Sequence, residues 1–560
     1  MSEINTTKPR RTPIALLVLG VAVLVCLFGN LGALGLVGPD EPRYVWIARA
    51  MAETGDWVTP RLYGSPWFEK PVLYYWCAAL GFLAHLPVEW AARLPSALAA
   101  LAAAVAIGIL ARKHYGGDAS SLSSPALLTP VLFSTSVAAI GFARSATPDM
   151  LFSSAIALAM ASAAAVFRGA GGLRTAPSAA SNASRGDTLL LVLFGAFLGL
   201  GVLAKGPAAI ILAGGAIGVW ALATNHWRVA LRVAHPSAIA AFCVVALPWY
   251  VLCAIRNPDF LHVFILQHNF ERYLTPLYQH RQPFWFFGPI VLLALLPWTV
   301  LLWPVAEEGL RLWREKSWRD SPGFFFACWA VFPVAFFSLS QSKLPGYILP
   351  AIPPLALLCA VSLQRAFQRN HTLAVGLTVG LAGTWAVLAS GAFFFARRTT
   401  ERADLLADDS LHALLVLGYV ALGAAILIAA GLIFAGFRQR LDWVAGLCAV
   451  SAILAVEAAN IRVLPALDSF YSARPHAAFM RGDQHPERIF TYHLSRSWDY
   501  GLAFYFHREL PEWSPADPDA ALVLTTPGGL AQMKELGRFS GNLDEPYVGV
   551  LYVPANRVPR

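Results

Sequence analysis

The chain of 560 residues is 57% hydrophobic and only 13% charged. Because soluble domains carry about 25% charged residues, this composition excludes an ordinary soluble enzyme and indicates an integral membrane protein. The apolar runs continue over about 17–25 residues, which favours membrane helices over the short alternating strands of a membrane barrel. The formal net charge of +9 comes from Lys and Arg residues that cluster between the runs. This is the positive-inside pattern of a membrane protein rather than a nucleic-acid-binding surface.

Apolar runs long enough to predict membrane spans recur along most of the chain. The thirteen runs fall at about 13–36, 93–111, 122–142, 150–167, 188–204, 207–224, 234–254, 284–305, 323–340, 347–363, 372–396, 411–436 and 443–462. Every second connection is short and basic, beginning with the N-terminal segment that carries Lys8, Arg10 and Arg11. These connections and the N-terminus are therefore predicted to be cytoplasmic. The number of spans is odd, which places the C-terminal end on the other side, the periplasm of a bacterial inner membrane.

The last part of the chain differs in pattern from the spans. "RIFTYHL", "ALVLTT" and "YVGVLYV" have the composition of strands, and "YGLAFYFHREL" has that of a helix. The sequence therefore predicts an all-α polytopic membrane domain over residues 1–462. It also predicts a small α/β domain on the periplasmic side over residues 463–560.

The first outer connection, about 37–92, is amphipathic rather than simply polar. "RYVWIARAM" places Tyr44, Ile47 and Met51 on one helical face, and "PVLYYWCAALGFLAHL" is too short to span and rich in Tyr and Trp. Both segments are typical of helices that lie in the membrane interface.

Polar and ionisable residues recur where the outer connections meet the membrane edge. They are Asp40, Glu41, Arg43, Glu69 and Lys70 in the first connection, Asp149 after the third span, Lys205 after the fifth, His268 and Arg272 after the seventh, and Lys343 and Tyr347 after the ninth. Each has an ordinary explanation alone, since a lysine at a span end snorkels and an aspartate after a span caps a helix. Their recurrence in five connections of an otherwise uncharged chain indicates a functional site.

The residue types at these positions suit an amphiphilic substrate that carries phosphate. Four cations can neutralise phosphate oxygens, with a hydroxyl donor from Tyr347: Lys70, Lys205, Arg272 and Lys343. Three candidate catalytic carboxylates can accept protons from hydroxyls or orient a polar acceptor: Asp40, Glu41 and Asp149. The sequence has no G-x-G-x-x-G fingerprint at a strand–helix junction, so a lipid-linked donor is predicted rather than a nucleotide sugar.

The motifs that carry these residues resemble those of a known family, the GT-C membrane glycosyltransferases that use polyprenyl-phosphate sugars. Within it, the chain is similar to the undecaprenyl-phosphate-aminoarabinose lipid A transferases, relatives of the protein O-mannosyltransferases. The resemblance rests on "DEPRYVWIARAM" with "GDWVTPRLYGSPWFEKPVLYYW", "ARSATPDM", "GLGVLAKGP", "PWY" at 248–250 and "SKLPGYILP". It covers about residues 13–360 and implies a GT-C fold of about 13 transmembrane helices, with amphipathic juxtamembrane helices in the first periplasmic loop.

The resemblance also implies a role for the matching residues. Asp40 matches the acid at the active centre, as a catalytic base or as a group that orients the acceptor, and Asp149 matches the second acid. Four residues match positions expected near the donor phosphate: Arg43, Lys70, Lys343 and Tyr347.

One segment departs from the family pattern. After the seventh span the aminoarabinose transferases tend to read Glu-His followed by Gln-Arg-Phe, whereas this chain has His268 and Asn269 in "HNFERY". No metal site is therefore assigned, although Glu69 and His268 form a candidate pair for a divalent cation. The departure also leaves the transferred sugar open. None of the seven cysteines forms a C-x-x-C pair, so a thiolate metal site is not predicted.

The predicted reaction is glycosyl transfer at the outer face of the membrane. An acceptor oxygen attacks the anomeric carbon, and the polyprenyl phosphate leaves while cations stabilise its growing charge. The expected partners are a polyprenyl-phosphate sugar, membrane lipid and an acceptor such as lipid A or another envelope glycolipid, with no nucleic acid. A protein O-mannosyltransferase-like enzyme stays open as an alternative. So does a non-enzymatic lipid-sugar transporter, which predicts internal repeats and midspan charges rather than charges at span ends.

Overall fold

The computed structural model describes residues 13–116, 122–169, 185–264, 282–401, 408–480, 489–514, 522–535, 546–547 and 550–554. The described chain is mostly helical, with one two-stranded hairpin in the first outer connection and one four-stranded sheet near the C-terminal end. The predicted site residues His268 and Arg272 lie outside the described residues.

The helices are numbered here in chain order. Those up to residue 256 are α1 Pro13–Phe28, α2 Asp40–Thr54, α3 Leu73–Leu83, α4 Val88–Tyr115, α5 Pro125–Ser134, α6 Val137–Ala143, α7 Asp149–Gly169, α8 Arg185–Lys205, α9 Ala208–Thr224, α10 Trp227–Ala230 and α11 Pro236–Arg256. Those that follow are α12 Phe287–Ala294, α13 Leu302–Arg314, α14 Pro322–Ser338, α15 Ile352–Arg369, α16 His371–Glu401, α17 Asp408–Phe437, α18 Leu441–Ala458, α19 Leu464–Tyr471, α20 Arg474–Met480, α21 Arg496–Phe506 and α22 Pro527–Glu535. Short 3-10 helices cover Leu231–Ala234, Trp298–Leu301, Trp318–Asp320 and Pro345–Ala351, and a π-helical turn covers Ala459–Val463.

The helices confirm a polytopic membrane protein. In the described residues, eight helical runs are long and apolar enough to cross a membrane, and two bent helix pairs raise this number to ten. Three further predicted spans fall on the apolar helices α1, α9 and α14, which have 16, 17 and 17 residues. Eight to ten candidate spans are thus found by length and composition, and the number thirteen remains a prediction.

The two bent pairs, α5 with α6 and α12 with α13, meet at their breaks. The backbone N–H of Val137 donates to the carbonyl of Leu296 at 2.9 Å, and the indole N–H of Trp298 donates to Thr135 Oγ1 at 2.9 Å. The Ser136 hydroxyl accepts from the N–H of Ala139 and so caps α6. The backbone N–H of Val137 and the carbonyl of Leu296 thus satisfy each other across the two breaks, as interrupted helices in an apolar medium require.

The first outer connection folds into two helices joined by a hairpin. Helix α2 ends at Gly55, whose φ of 70° lies in the left-handed region that favours glycine. Strands β1 Arg61–Leu62 and β2 Ser65–Pro66 then pair antiparallel. Helix α3 packs on α2 through Tyr44, whose ring centre lies 6.2 Å from that of Tyr74. Both segments with the predicted interfacial pattern are thus helical.

The C-terminal region contains the predicted strands and helix. Strand β3 Ile489–Tyr492 pairs parallel with β4 Leu522–Thr525, β4 pairs antiparallel with β6 Val550–Pro554, and β6 pairs with β5 Pro546–Tyr547. Helix α21 packs against α2 rather than standing apart from the membrane domain. Helical structure runs through Leu441–Tyr471, across the predicted domain boundary at residue 462, and that boundary remains a prediction.

Candidate active site

Four charged residues of the first outer connection form a connected group, called here the first ion cluster: Asp40, Arg43, Glu69 and Lys70. Arg43 Nη2 lies 2.5 Å from Asp40 Oδ1 and 2.9 Å from Glu69 Oε2, and Lys70 Nζ lies 3.1 Å from Glu69 Oε1. The Asp40 side chain is 51% exposed, whereas that of Arg43 is only 10% exposed. A buried cation thus holds an accessible carboxylate.

The local sequence explains why these charges meet. Asp40 is in the first turn of α2, where the helix dipole favours a carboxylate, and Arg43 follows one turn later. The hairpin reverses the chain, and the backbone N–H of Trp67 donates to the carbonyl of Pro60 at 2.8 Å. This reversal carries Glu69 and Lys70 to the start of α2 before α3 begins.

Aromatic rings surround the Arg43 guanidinium. Its central carbon lies 5.4 Å from the ring centre of Tyr44, 5.5 Å from Trp67 and 5.6 Å from Tyr500. Burial opposes the charged form of Arg43, but Glu69 and Asp40 outweigh it and raise the arginine pKa above its ordinary value. Arg43 therefore keeps a fixed positive charge in a partly dry environment.

Three buried hydrogen-bond donors around this cluster have no partner among the described residues: Arg43 Nε, Trp67 Nε1 and Tyr75 Oη. Burial, followed by the charge of Glu69, raises the pKa of the Tyr75 phenol, so the hydroxyl keeps its proton. Buried polar groups are normally satisfied in folded proteins. Unpartnered donors beside charged residues indicate a place where a ligand rich in acceptor oxygens or ordered water binds.

A second ion cluster consists of Asp149, Lys205 and Tyr347. Lys205 Nζ, at the end of α8, lies 2.5 Å from Asp149 Oδ1, in the first turn of α7, and 5.1 Å from the ring centre of Tyr347. A Cβ atom on Gly346 would lie only 2.9 Å from the same Asp149 oxygen. The missing side chain at residue 346 lets the 3-10 helix Pro345–Ala351 approach the carboxylate.

Glu41 connects the first outer connection to the segment before α7. Its side chain is 5% exposed and pairs at 2.8 Å with Arg93, which is equally buried. Glu41 Oε1 also accepts from the backbone N–H of Ala146 at 2.7 Å, and Oε2 from that of Val37 at 3.0 Å. Glu41 was a candidate catalytic acid in the sequence, but both its oxygens are engaged in the structure. These contacts hold the first turn of α2, which carries Asp40, against the segment that leads into Asp149.

Lys343 lies apart from the contacts of both ion clusters, although it is three residues from Gly346. Its amino group donates to the carbonyls of Ser340 at 2.6 Å and of Gln282 at 3.1 Å, and the residue is only 6% exposed. Among its described contacts, Lys343 thus fixes the segment before the 3-10 helix.

An apolar cavity of about 410 Å³ adjoins the second ion cluster. It lies between α6, α12 and the 3-10 helix Pro345–Ala351, and Ser145 is its polar lining residue. Phe142 lines the cavity and also lies beside Gly346, as Asp149 does. A charged site and an apolar cavity therefore share one wall.

In the described residues, no three His, Cys, Asp or Glu side chains form a group that could hold a metal ion. Glu69 pairs with Arg43 and Lys70 instead. Its candidate metal partner His268 lies outside the described residues.

Several residues of the site were missed by the sequence analysis. Arg93 gave a signal, because a lone arginine near the start of an apolar helix needs a partner. Trp67 and Tyr75 stood inside a recognised motif but without an assigned role. Tyr500 gave no signal in the sequence, since nothing in the sequence places α21 beside α2.

Comparison with known proteins gives matches in both sequence and fold. Residues 14–264 match the family of dolichyl-phosphate-mannose-protein mannosyltransferases. The chain is 32% identical over 355 residues to an undecaprenyl phosphate-alpha-4-amino-4-deoxy-L-arabinose arabinosyl transferase of Edwardsiella ictaluri, a match that covers 62% of this chain and 60% of that relative. The corresponding Pseudomonas aeruginosa protein is 32% identical over 352 residues, with the same coverage. The chain thus matches about 60% of the length of these curated relatives.

The fold match extends further than the sequence match. The crystal structure of ArnT from Cupriavidus metallidurans bound to undecaprenyl phosphate superimposes with a TM-score of 0.72 at 24% identity, covering 97% of this chain and 98% of ArnT. The apo structure of the same protein gives a TM-score of 0.74. The chain is therefore similar in sequence to undecaprenyl-phosphate aminoarabinose transferases over 62% of its length and has the GT-C fold of ArnT, which confirms the resemblance inferred from its motifs.

Proposed function

We propose that this protein is a membrane glycosyltransferase that moves a sugar from undecaprenyl phosphate to an acceptor in the cell envelope, with lipid A as the favoured acceptor. The observation that carries the proposal is that the segments of two ion clusters, Asp40–Arg43–Glu69–Lys70 and Asp149–Lys205–Tyr347, are joined by the hydrogen bond from Ala146 to Glu41. The matched relatives bear the name of this activity.

The charges and the apolar cavity suit the two parts of a polyprenyl-phosphate sugar. Arg43, Lys70 and Lys205 supply cationic groups for the phosphate, and the unpartnered Trp67 and Tyr75 donors supply further hydrogen bonds. The cavity of about 410 Å³ beside Phe142 can hold part of a prenyl chain. A soluble sugar nucleotide would leave this apolar wall without a function.

The reaction follows from these placements. An acceptor oxygen forms a bond to the anomeric carbon, the bond from that carbon to the phosphate oxygen breaks, and the phosphate leaves with the electron pair. The cations stabilise the charge that grows on the leaving phosphate. If the acceptor is a hydroxyl, its proton passes to a carboxylate, and the exposed Asp40 is the accessible candidate. If the acceptor is a phosphate, no proton needs to move and Asp40 orients the reacting groups.

A protein acceptor is the second candidate function, since the matching family model is that of protein mannosyltransferases. The two candidates share the donor chemistry and differ in what approaches Asp40. The aminoarabinose transferase relatives match about 100 residues more than that model does, 355 residues against the span 14–264, which favours the lipid acceptor.

The proposed topology follows the basic connections. Thirteen spans with a cytoplasmic N-terminus place the α1–α2 connection, the segment before α7 and the C-terminal region in the periplasm of a bacterial inner membrane. Both ion clusters then lie on the side where lipid A is exposed to inner-membrane enzymes.

Mass spectrometry of extracted lipid A, from cells with the gene intact, deleted, or replaced by the Asp40→Asn variant, tests the function. We expect a sugar-bearing lipid A species only in the cells with the intact gene. An unchanged lipid A spectrum together with a lost glycan on proteins would instead support the second candidate. No change in either fraction would refute both.

A further inference from the structure

One of the three rings around Arg43 comes from the far end of the chain. Tyr500, in α21, lies 5.6 Å from the guanidinium carbon and 6.4 Å from the ring centre of Tyr63 in the hairpin loop. The C-terminal region thus forms part of the wall of the first ion cluster rather than a separate appendage.

Helix α21 is held by contacts with the segment before α2, with α2 itself and with α4. The Tyr505 hydroxyl accepts from the N–H of Leu36 at 2.8 Å and donates to Glu89 Oε1 at 2.9 Å. Arg49 donates to the carbonyl of Phe504 at 3.2 Å, with its guanidinium carbon 4.2 Å from that ring centre. These contacts lie one turn beyond Tyr500, so they set the position of its ring.

A second anchor holds the same region to the α1–α2 connection. Asp468 Oδ1 accepts from the N–H of Gly35 at 2.8 Å, and Asp468 pairs with Arg474 at 2.7 Å. Arg474 also pairs at 3.3 Å with Glu89, the residue that binds Tyr505. The C-terminal region and the segment that leads into Asp40 are therefore connected by one polar network.

We propose that Tyr500 is a positioning residue of the donor-phosphate site, and that the C-terminal region completes this site by placing it there. The inference rests on the proposed function, because Arg43 is assigned there to the phosphate. Tyr500 acts through Arg43: its ring covers one side of the guanidinium, while Tyr44 and Trp67 lie against it elsewhere.

The physical reason is the dry surroundings of the guanidinium. An arginine against aromatic rings is attracted to their faces, and this attraction grows when water is excluded. Removing the Tyr500 ring admits water, weakens the pairs of Arg43 with Asp40 and Glu69, and gives the side chain more conformers. The donor phosphate then binds to a less ordered cation. The affinity of the protein for the donor therefore falls, while its affinity for the acceptor changes little.

Two substitutions isolate the ring. Tyr500→Phe keeps the aromatic ring and loses only the hydroxyl. Tyr500→Leu keeps an apolar side chain but has no aromatic ring. Tyr471→Leu is the control, because Tyr471 is 56% exposed and lies in the same region. Binding of undecaprenyl phosphate to each purified, folded protein is measured by native mass spectrometry, and kcat and KM are measured for donor and acceptor.

The expected result is wild-type binding for Tyr500→Phe and Tyr471→Leu, and binding about threefold to thirtyfold weaker for Tyr500→Leu. The donor KM of Tyr500→Leu rises by a similar factor, while the acceptor KM and kcat change less than about twofold. A structural defect would instead lower kcat alone. Equal binding by Tyr500→Leu and wild type, or a Phe variant as weak as the Leu variant, overturns the inference. Failure of the wild-type protein to bind undecaprenyl phosphate overturns the proposed donor itself, and this inference with it.

Discussion

Neighbouring carboxylates in this protein have opposite environments. Asp40 is half exposed and held by Arg43, whereas Glu41 is buried and paired with Arg93. One is therefore accessible to a substrate, and the other joins two segments of chain. The difference between reactive and supporting groups lies in burial and partners, which the dipeptide Asp-Glu alone does not disclose.

Replacing Asp40 by Asn tests its part in the chemistry. The substitution keeps the shape of the side chain and removes its charge and basicity, so transfer should fall about 10²- to 10⁴-fold if the acceptor is a hydroxyl. Thermal unfolding should change little, because the side chain is half exposed. Asp320→Asn, in the exposed 3-10 turn Trp318–Asp320, is the control and should transfer normally. Wild-type transfer by Asp40→Asn would remove this residue from the mechanism.

Glu41→Gln should act through stability instead. It leaves the buried Arg93 charge uncompensated, and breaking a buried pair costs about 3–5 kcal/mol. A double-mutant cycle with Arg93→Met, read by thermal unfolding, should show a coupling energy above about 0.5 kcal/mol. Additive effects of the two substitutions would mean that the pair does not join α2 to α4 in solution.

At the scale of elements, short irregular segments position the second ion cluster. The 3-10 helix Pro345–Ala351 carries Tyr347 to Lys205, and it approaches Asp149 because residue 346 is glycine. The sequence motif "SKLPGYILP" marked this segment as part of the site. It did not show that the glycine serves a close approach, because that depends on where α7 begins.

Gly346→Ala measures this approach. The added methyl group would lie 2.9 Å from Asp149 Oδ1 and from Phe142 Cζ, so the carboxylate and the ring must shift. A displacement of this kind should lower transfer about tenfold or more, as small misplacements of reacting groups do. Gly218→Ala, with no neighbouring atom within 4 Å of its added methyl group, should transfer normally. Equal activity of both variants would contradict the tight contact.

The stability of the C-terminal region should depend on pH through Asp499 in α21. Burial, together with Glu509 and Glu512, raises the pKa of Asp499. The folded protein therefore holds the proton of the Asp499 carboxyl more tightly than the unfolded chain does. The free energy of unfolding falls as the pH rises from the ordinary aspartate pKa to the higher pKa of the folded state. Asp499→Asn should be more stable than wild type at neutral pH, with the difference vanishing below about pH 3.5.

Asp56→Asn is the control, because it should change the stability of the protein in the opposite direction. Burial of Asp56 opposes its charge, but the backbone N–H groups of Thr59 and Val58 and the charge of Arg61 outweigh this and lower its pKa. The charged Asp56 therefore stabilises the folded protein at pH values above the ordinary aspartate pKa. This stabilisation is lost as the pH falls through the lower pKa that Asp56 has in the folded state. The Asn variant should therefore be less stable than wild type at neutral pH in thermal unfolding. If both variants shift in one direction, the assignment of these pKa directions is wrong.

For the whole molecule, the sequence predicted the fold class better than it predicted the contacts between distant residues. Apolar runs located the long helices, because a membrane span needs a continuous apolar segment. Motif residues in separate connections were expected to converge, and Asp149, Lys205 and Tyr347 do. Contacts between distant parts of the chain could not be predicted: the Tyr500–Arg43 contact depends on the docking of a region that has its own hydrophobic pattern.

In the proposed reaction, the two ion clusters hold a polyprenyl phosphate while its sugar leaves. The most direct measurement is a transfer assay with purified protein, undecaprenyl-phosphate-linked aminoarabinose and lipid A, in which released undecaprenyl phosphate and glycosylated lipid A are quantified together. We predict equimolar products for wild type and for Lys113→Ala, in the basic last turn of α4, and loss of both products for Lys70→Ala. Normal transfer by Lys70→Ala, or release of undecaprenyl phosphate without a glycosylated product, would contradict it.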